Sequence, residues 1–261
     1  MPTQMNGITV CVNYSDLLEI TLRRNMRHLS RCVVVTSPED ANTLAVVDSV
    51  PNCTAYVTDA FKRHGAAFNK GLALEEGFEF LGRQGVICSW DADIVFPDSF
   101  PVPDVQPGKL YSAPRRILEH PSRFREGLHW SRYPLSREQV MPGYLHIFHA
   151  EDPVLQELPW GDVTFSHAGG SDGFFQSRWS TENKIWLPFD VLHLGPRDRN
   201  WFGRASQLVN GQRAPGAEEA NRQIEEFHLA KGWKIRGRKN PAYVERVEVP
   251  GNKPREWIHG R

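Results

Sequence analysis

Two carboxylates close a short apolar run in the stretch Gly85-Val-Ile-Cys-Ser-Trp-Asp91-Ala-Asp93-Ile-Val-Phe-Pro97. Val86, Ile87 and Cys88 suit the interior of a sheet covered on both faces, and Pro97 forbids a central strand from continuing far. Acids just past such a strand sit at the mouth of an open sheet, where ligands bind. Alternate residues of an extended segment point the same way, so Asp91 and Asp93 are expected to address one ion, or one ion and a ligand hydroxyl. Hard oxygen ligands favour Mg²⁺ or Mn²⁺ over zinc. A third acid, Asp172, lies in Ala168-Gly-Gly-Ser-Asp172-Gly-Phe-Phe-Gln-Ser-Arg178-Trp179, on a glycine-flanked turn before an amphipathic helix. Glycines let a ligand approach the backbone closely, and a carboxylate there can take a proton from a bound hydroxyl. Helix capping by Ser171 and Asp172 is the plainer alternative.

The elements that must position these groups follow from pattern. Residues 8–12 read as a first strand, and Asn13-Tyr14-Ser15-Asp16 breaks it and opens a helix with Leu17, Leu18, Ile20, Leu22 and Met26 on its apolar side. Residues 32–36 form a second strand ending at Ser37, 45–50 a short strand or helix end, and 55–58 a third strand ending at Asp59. A helix over about 66–81 then precedes the strand into Asp91. Strands alternating with helices imply an α/β fold with a mostly parallel, right-handed, doubly wound sheet. Further on, 109–115 and 144–149 read as strands, 153–158 as a small helix, and 187–194 as a late strand carrying His193.

Composition narrows the classes. The 261 residues suit one large domain with appendages. Lysine plus arginine and aspartate plus glutamate both number 31, so no global field steers the chain toward polyanions. The four cysteines avoid the close spacing of a zinc site and read as small core residues of a reducing compartment. No apolar run approaches the length of a membrane span, so a soluble cytoplasmic protein is expected.

The order of strand, Asn13-Tyr14 turn, helix, second strand, Phe68-Asn69-Lys70-Gly71 at a helix start, and apolar strand into Asp91-Ala92-Asp93 resembles GT-A-fold glycosyltransferases of the inverting type. The resemblance covers about the first hundred residues well and the next hundred loosely. It implies a Rossmann-like GT-A domain over 1–200, with a nucleotide-sugar half at 1–97 and an acceptor half at 98–200, and an extension at 201–261. The implied cofactor is Mn²⁺ or Mg²⁺ on Asp91, Asp93 and His193, since Val191-Leu192-His193-Leu194-Gly195 looks like the family's late-strand histidine. The implied donor is a nucleotide-diphosphate sugar, most simply a UDP-sugar, held by Asn13, Tyr14, Ser37, Asp59, Asn69, Lys70 and Asp91, with Lys70 toward the diphosphate. Asp172 resembles the family's acceptor-side base. Ser171 stands where relatives often have an acid, and Gln176-Ser177-Arg178-Trp179 is one residue short of the Q-x-x-R-W box of processive synthases, so a polysaccharide synthase is not implied.

Two readings of other classes compete. A nucleotidyltransferase also joins an α/β sheet to paired acids, but wants a glycine- and base-rich loop after the first strand, where this chain has Asn13-Tyr14-Ser15-Asp16. A non-catalytic nucleotide-sugar binding protein has no need to keep Asp91, Asp93, Asp172 and His193 together. For the acceptor, the sequence offers Arg115, Arg116, Trp130, Arg178 and Trp179, with two locally basic segments. Six arginines face two glutamates over 113–137, and nine basic residues face three glutamates over 228–261. Such segments can neutralise phosphates, which makes a hydroxymethylated base in DNA one acceptor to weigh against a saccharide, protein or small molecule.

Overall fold

The computed structural model describes residues 4–63, 66–101, 104–136, 141–163, 168, 171–195, 204, 208–209 and 212–213. The sequence pattern also reads as a helix over 217–230 in the C-terminal extension; that segment and the basic tail lie outside the described residues.

The first ninety residues build the sheet the hydrophobic pattern asks for. Strands β1 (Met5–Val10), β2 (Arg31–Thr36), β3 (Cys53–Val57) and β4 (Val86–Asp91) run parallel in the spatial order β4-β1-β2-β3. Helices α1 (Ser15–Asn25), α2 (Ala41–Asp48) and α3 (Lys70–Leu81) make the crossovers. Alternation along each strand loads both faces: Cys32, Val34 and Cys88 join Leu18 and Leu22 of α1 on one side, while Val33, Val35 and Ile87 join Phe78 and Leu81 of α3 on the other. The segment 45–50, open between strand and helix end, is the end of α2, whose first turn is capped by Asp40 accepting from the Thr43 amide at 3.1 Å. The α3 helix starts at Lys70, later than about 66, because Asn69 caps it by accepting from the Leu72 amide at 2.9 Å.

Beyond β4 the sheet becomes mixed. Strand β6 (Leu110–Ser112), β9 (Leu145–His149) and β10 (Lys184–Trp186) extend it in the order β10-β6-β9-β4, with β9 antiparallel to β4. A second sheet gathers β5 (Ile94–Val95), β7 (Arg115–Leu118), β8 (Leu135–Ser136) and β11 (Val191–Leu194) in the order β5-β11-β7-β8. The stretch 109–115, read from sequence as one strand, is in fact split between the sheets, and of the stretch 187–194 only Val191–Leu194 is strand, β10 of the first sheet having ended at Trp186. Pro114 and Pro188 each lack the amide that continues a ladder, and the chain changes sheet beside each of them. The two passages run side by side: Leu187 N donates to Ser112 O and Val191 N to Pro114 O, both at 2.8 Å. The expected helix at 153–158 is a single 3₁₀ turn, Pro153–Leu155.

Candidate active site

Three side chains from distant segments meet at the carboxyl end of β4. Lys70 is the first residue of α3, Asp91 the last of β4, and Asp172 lies in the first turn of α4 (Ser171–Gln176) rather than on the turn before it. Lys70 Nζ donates to Asp91 Oδ1 at 2.7 Å and to Asp172 Oδ1 at 3.3 Å. Burial works against the ammonium, but the charges of Asp172 and Asp91 outweigh it and hold Lys70 well above the usual lysine range. Burial pushes the Asp172 carboxyl up; Lys70 opposes that and Asp91 adds to it.

Two glycines allow the convergence. A Cβ on Gly71 would collide with the carbonyl oxygen of Asp162, so α3 can start hard against that loop. A Cβ on Gly143 would lie under 3.0 Å from the Asp172 side chain, so Asp172 packs on bare backbone. Beneath them is a cavity of about 30 Å³ lined by Lys70, Ser89, His146, Asp172 and Phe175 among others. His146 stacks on Phe175 with ring centroids 5.4 Å apart. Burial, then the charge of Lys70, lower its pKa to about 3, so it stays neutral beside the ammonium.

Asp93 and His193 form a second pair. Asp93 lies in the turn after β4, and His193 on β11 is the register partner of Ile94. Their Oδ2 and Nε2 atoms are 3.4 Å apart. His193 Nδ1 lies 3.1 Å from Gly195 O, and its Nε2 faces the Asp93 carboxylate. An imidazole nitrogen facing a carboxylate oxygen holds a proton or a cation between them, and Asp93 Oδ1 is buried without a hydrogen-bond partner. Burial raises the Asp93 pKa, but His193 and then Arg115 outweigh it and hold the carboxyl below the usual range. A carboxylate and an imidazole leave most of the shell of a Mg²⁺ or Mn²⁺ ion to substrate oxygens and water, a fit for an ion shared with a diphosphate.

The expected three-ligand set is not what the fold assembles. Among the described residues no group of three His, Cys, Asp or Glu side chains is placed to hold a metal. Asp91 is instead bonded to Lys70. The alternation that was to aim both acids one way holds only within a strand, and β4 ends at Asp91, with Ala92 and Asp93 turning into β5 of the other sheet.

The remaining donor-side candidates are dispersed. Asn13 adopts φ 61°, donates its amide to Asp40 Oδ2 at 2.7 Å and its side-chain amide to Arg204 O at 2.9 Å. Tyr14 lies under the Arg204 guanidinium, 4.4 Å from ring centroid to Cζ, while Arg204 also grips Asp16 through both carboxylate oxygens at 2.8 and 3.0 Å. Arg204 was not foreseen, and no local pattern announces a contact across so much sequence. Ser37 is buried at the end of β2, its carbonyl accepting from the Asp40 amide. Asp59 is exposed and paired with Arg63 four residues on. The Asn69 side chain is fully buried, its oxygen capping α3 and its amide donating to Val163 O at 2.8 Å, which makes it a structural tie rather than a donor contact.

Several expected acceptor contacts are turned inward. Arg178 donates to the carbonyls of Val154, Pro159 and Trp160, and Trp179 is 2% exposed with its indole N–H on Asp152. Both residues follow the end of α4 at Gln176, where the chain packs against 152–160. Arg116 pairs with Asp190 at 2.6 Å and donates to Tyr133 O. Trp130 packs against the small cluster of Leu118, Leu192 and Leu194. Arg115 lies over the Tyr144 ring at 4.4 Å and acts on Asp93, which places it by the second pair and not in the arginine-rich loop.

No family model matches the chain, and no curated protein matches it. Among solved structures it is similar to 4-diphosphocytidyl-2C-methyl-D-erythritol synthase from Anaerococcus prevotii, with TM-score 0.42 and 9% identity over 87% of this chain and 97% of that one. It is also similar to glucosyl-3-phosphoglycerate synthase from Mycobacterium tuberculosis in complex with UDP, with TM-score 0.46 and 11% identity over 76% and 73%. A third similarity is to the inositol-1-phosphate CTP transferase from T. maritima, with TM-score 0.44 and 10% identity over 86% and 96%. Among the described residues no helix is long and apolar enough to cross a membrane.

Proposed function

We propose that this protein is a glycosyltransferase that moves a sugar from a nucleoside-diphosphate sugar to a hydroxyl acceptor with inversion at the anomeric carbon. The observation that carries the reading is the meeting of Lys70, Asp91 and Asp172 at the carboxyl end of β4, where open α/β sheets bind nucleotides. Lys70 places a cation for the diphosphate, and Asp91 accepts from a donor hydroxyl. Asp172 takes the acceptor proton as the acceptor oxygen bonds to the anomeric carbon and the bond to the departing diphosphate breaks. Mg²⁺ or Mn²⁺ on Asp93 and His193 would supply charge neutralisation at that leaving group when bound. A nucleotidyltransferase needs its triphosphate cradled after β1. There the Arg204 guanidinium is engaged with Asp16, and the turn has no glycine.

The test is incubation with a panel of nucleoside-diphosphate sugars, UDP-sugars first, with and without Mn²⁺. Release of the nucleoside diphosphate and the anomeric configuration of the product are read by NMR. Inverted product and its loss in Asp172→Asn support the reading; pyrophosphate release from a nucleoside triphosphate in its place refutes it. For the acceptor, we propose DNA bearing hydroxymethylated pyrimidines as the first polymer to try, on the local basic segments of the sequence. Binding that weakens with salt and a nucleoside mass gain support it, and their absence removes DNA while leaving glycosyl transfer standing.

A further inference from the structure

The two bonds of Lys70 are unequal, and the inequality has a direction. Its 2.7 Å contact to Asp91 is a short charge-assisted hydrogen bond, whereas the 3.3 Å contact to Asp172 lies beyond the usual range for N–H···O. The lysine side chain is 13% exposed, with Asp91 and Asp172 about a third exposed beside it, so the cluster opens to solvent chiefly through its two carboxylates. A diphosphate entering that side competes with the weaker of the two partners. Among the described residues Lys70 is the cation that acts on Asp172: Asp91 faces it from β4, Lys70 from α3, and the cavity below adds Ser89 of β4 and the neutral His146 of β9. The turn at Gly143 offers backbone alone.

We infer that Lys70 is a positioning residue shared between donor and base: bound diphosphate draws its ammonium from Asp172, so that Asp172 is a stronger proton acceptor in the donor-loaded protein than in the donor-free one. Without donor, the ammonium neighbour opposes the upward push of burial and of Asp91 on the carboxyl. With donor, Asp172 keeps its buried position and its Asp91 neighbour but loses the cation, and its affinity for a proton rises. Activation of the acceptor hydroxyl therefore follows donor loading, and the order is built into one side chain. This rests on the donor reading of the site given above.

The experiment is calorimetric titration of the full chain with UDP and Mg²⁺ in buffers of different ionisation enthalpy, from about pH 5 to about pH 8, which counts protons taken up on binding. Wild type is expected to take up more protons than Asp172→Asn, by up to about one per site, and Lys70→Gln to bind more weakly with no such excess. Excess uptake that is absent across the range, or that survives in Lys70→Gln, overturns the inference while measurable UDP binding leaves the donor reading intact. No UDP binding by wild type overturns both. Should either variant fail to fold, the carboxyl ¹³C shift of Asp172 in wild type serves. Movement toward the protonated value on adding UDP supports the inference, and a fixed shift overturns it.

Discussion

Replacing Gly143 by alanine tests the geometry of the site most directly, because the added atom meets Asp172. An alanine Cβ would stand under 3.0 Å from the Asp172 side chain, whereas unstrained carbon pairs sit at about 3.5–4.0 Å. Either the turn or the carboxylate must therefore move by more than about 1 Å. Overpacking of this kind costs about 1–3 kcal/mol of stability, which leaves a folded protein to assay. A reacting group displaced by about 1 Å loses about a hundredfold in rate, equivalent to about 2.7 kcal/mol of barrier. The expected result for Gly143→Ala is thus a kcat for nucleoside-diphosphate release lowered about a hundredfold, with UDP affinity within about twofold of wild type. Gly173→Ala is the matched control, since a Cβ there meets nothing within 4 Å and the position is helical. It is expected to stabilise α4 by up to about 1 kcal/mol and leave turnover within about twofold. A folded Gly143→Ala protein with turnover within threefold of wild type, on the order of 0.7 kcal/mol of barrier, would refute the placement of Asp172 at the reacting centre.

Asp93→Ala and His193→Ala are expected to abolish the Mn²⁺ dependence of UDP binding by calorimetry, whereas Asp91→Asn keeps it; equal loss in all three restores a three-ligand site. Stability should fall in acid through His146. Its folded pKa of about 3 lies below the unfolded value, so the unfolded chain binds the proton first. Stability is full above about pH 6.5 and declines as pH falls toward 3, at up to about 1.4 kcal/mol per unit, so the unfolding free energy from urea titrations should drop between pH 7 and pH 5 by about 2 kcal/mol more for wild type than for His146→Gln. Trp179→Ala is expected to cost about 3–5 kcal/mol by urea denaturation, since its ring is buried and its indole N–H satisfies Asp152; a cost under 1 kcal/mol would return Trp179 to the surface.

The sequence by itself determined the half of the fold whose signals are local. Alternation in 32–36 and 86–91 loads both faces of a parallel sheet, and Asn69 caps a helix through an atom three residues away. The acid at the end of β4, the acid near the start of α4 and the histidine on the late strand were legible because strand ends and glycine turns are written in adjacent residues. What those groups do to one another was decided by packing. Lys70 meets Asp91 across 21 positions and Asp172 across 102, and Arg204 reaches Asn13 across 191, spans over which no periodicity carries information. Asp91 and Asp93 part company because the chain changes sheet between them, and Arg178 and Trp179, just past the end of α4, face inward because their donors meet the carbonyls of Val154, Pro159 and Trp160 and the Asp152 carboxylate. Side-chain identity sets what each group can donate or accept; only the stacking of α3 and α4 on the sheet sets which partner it finds.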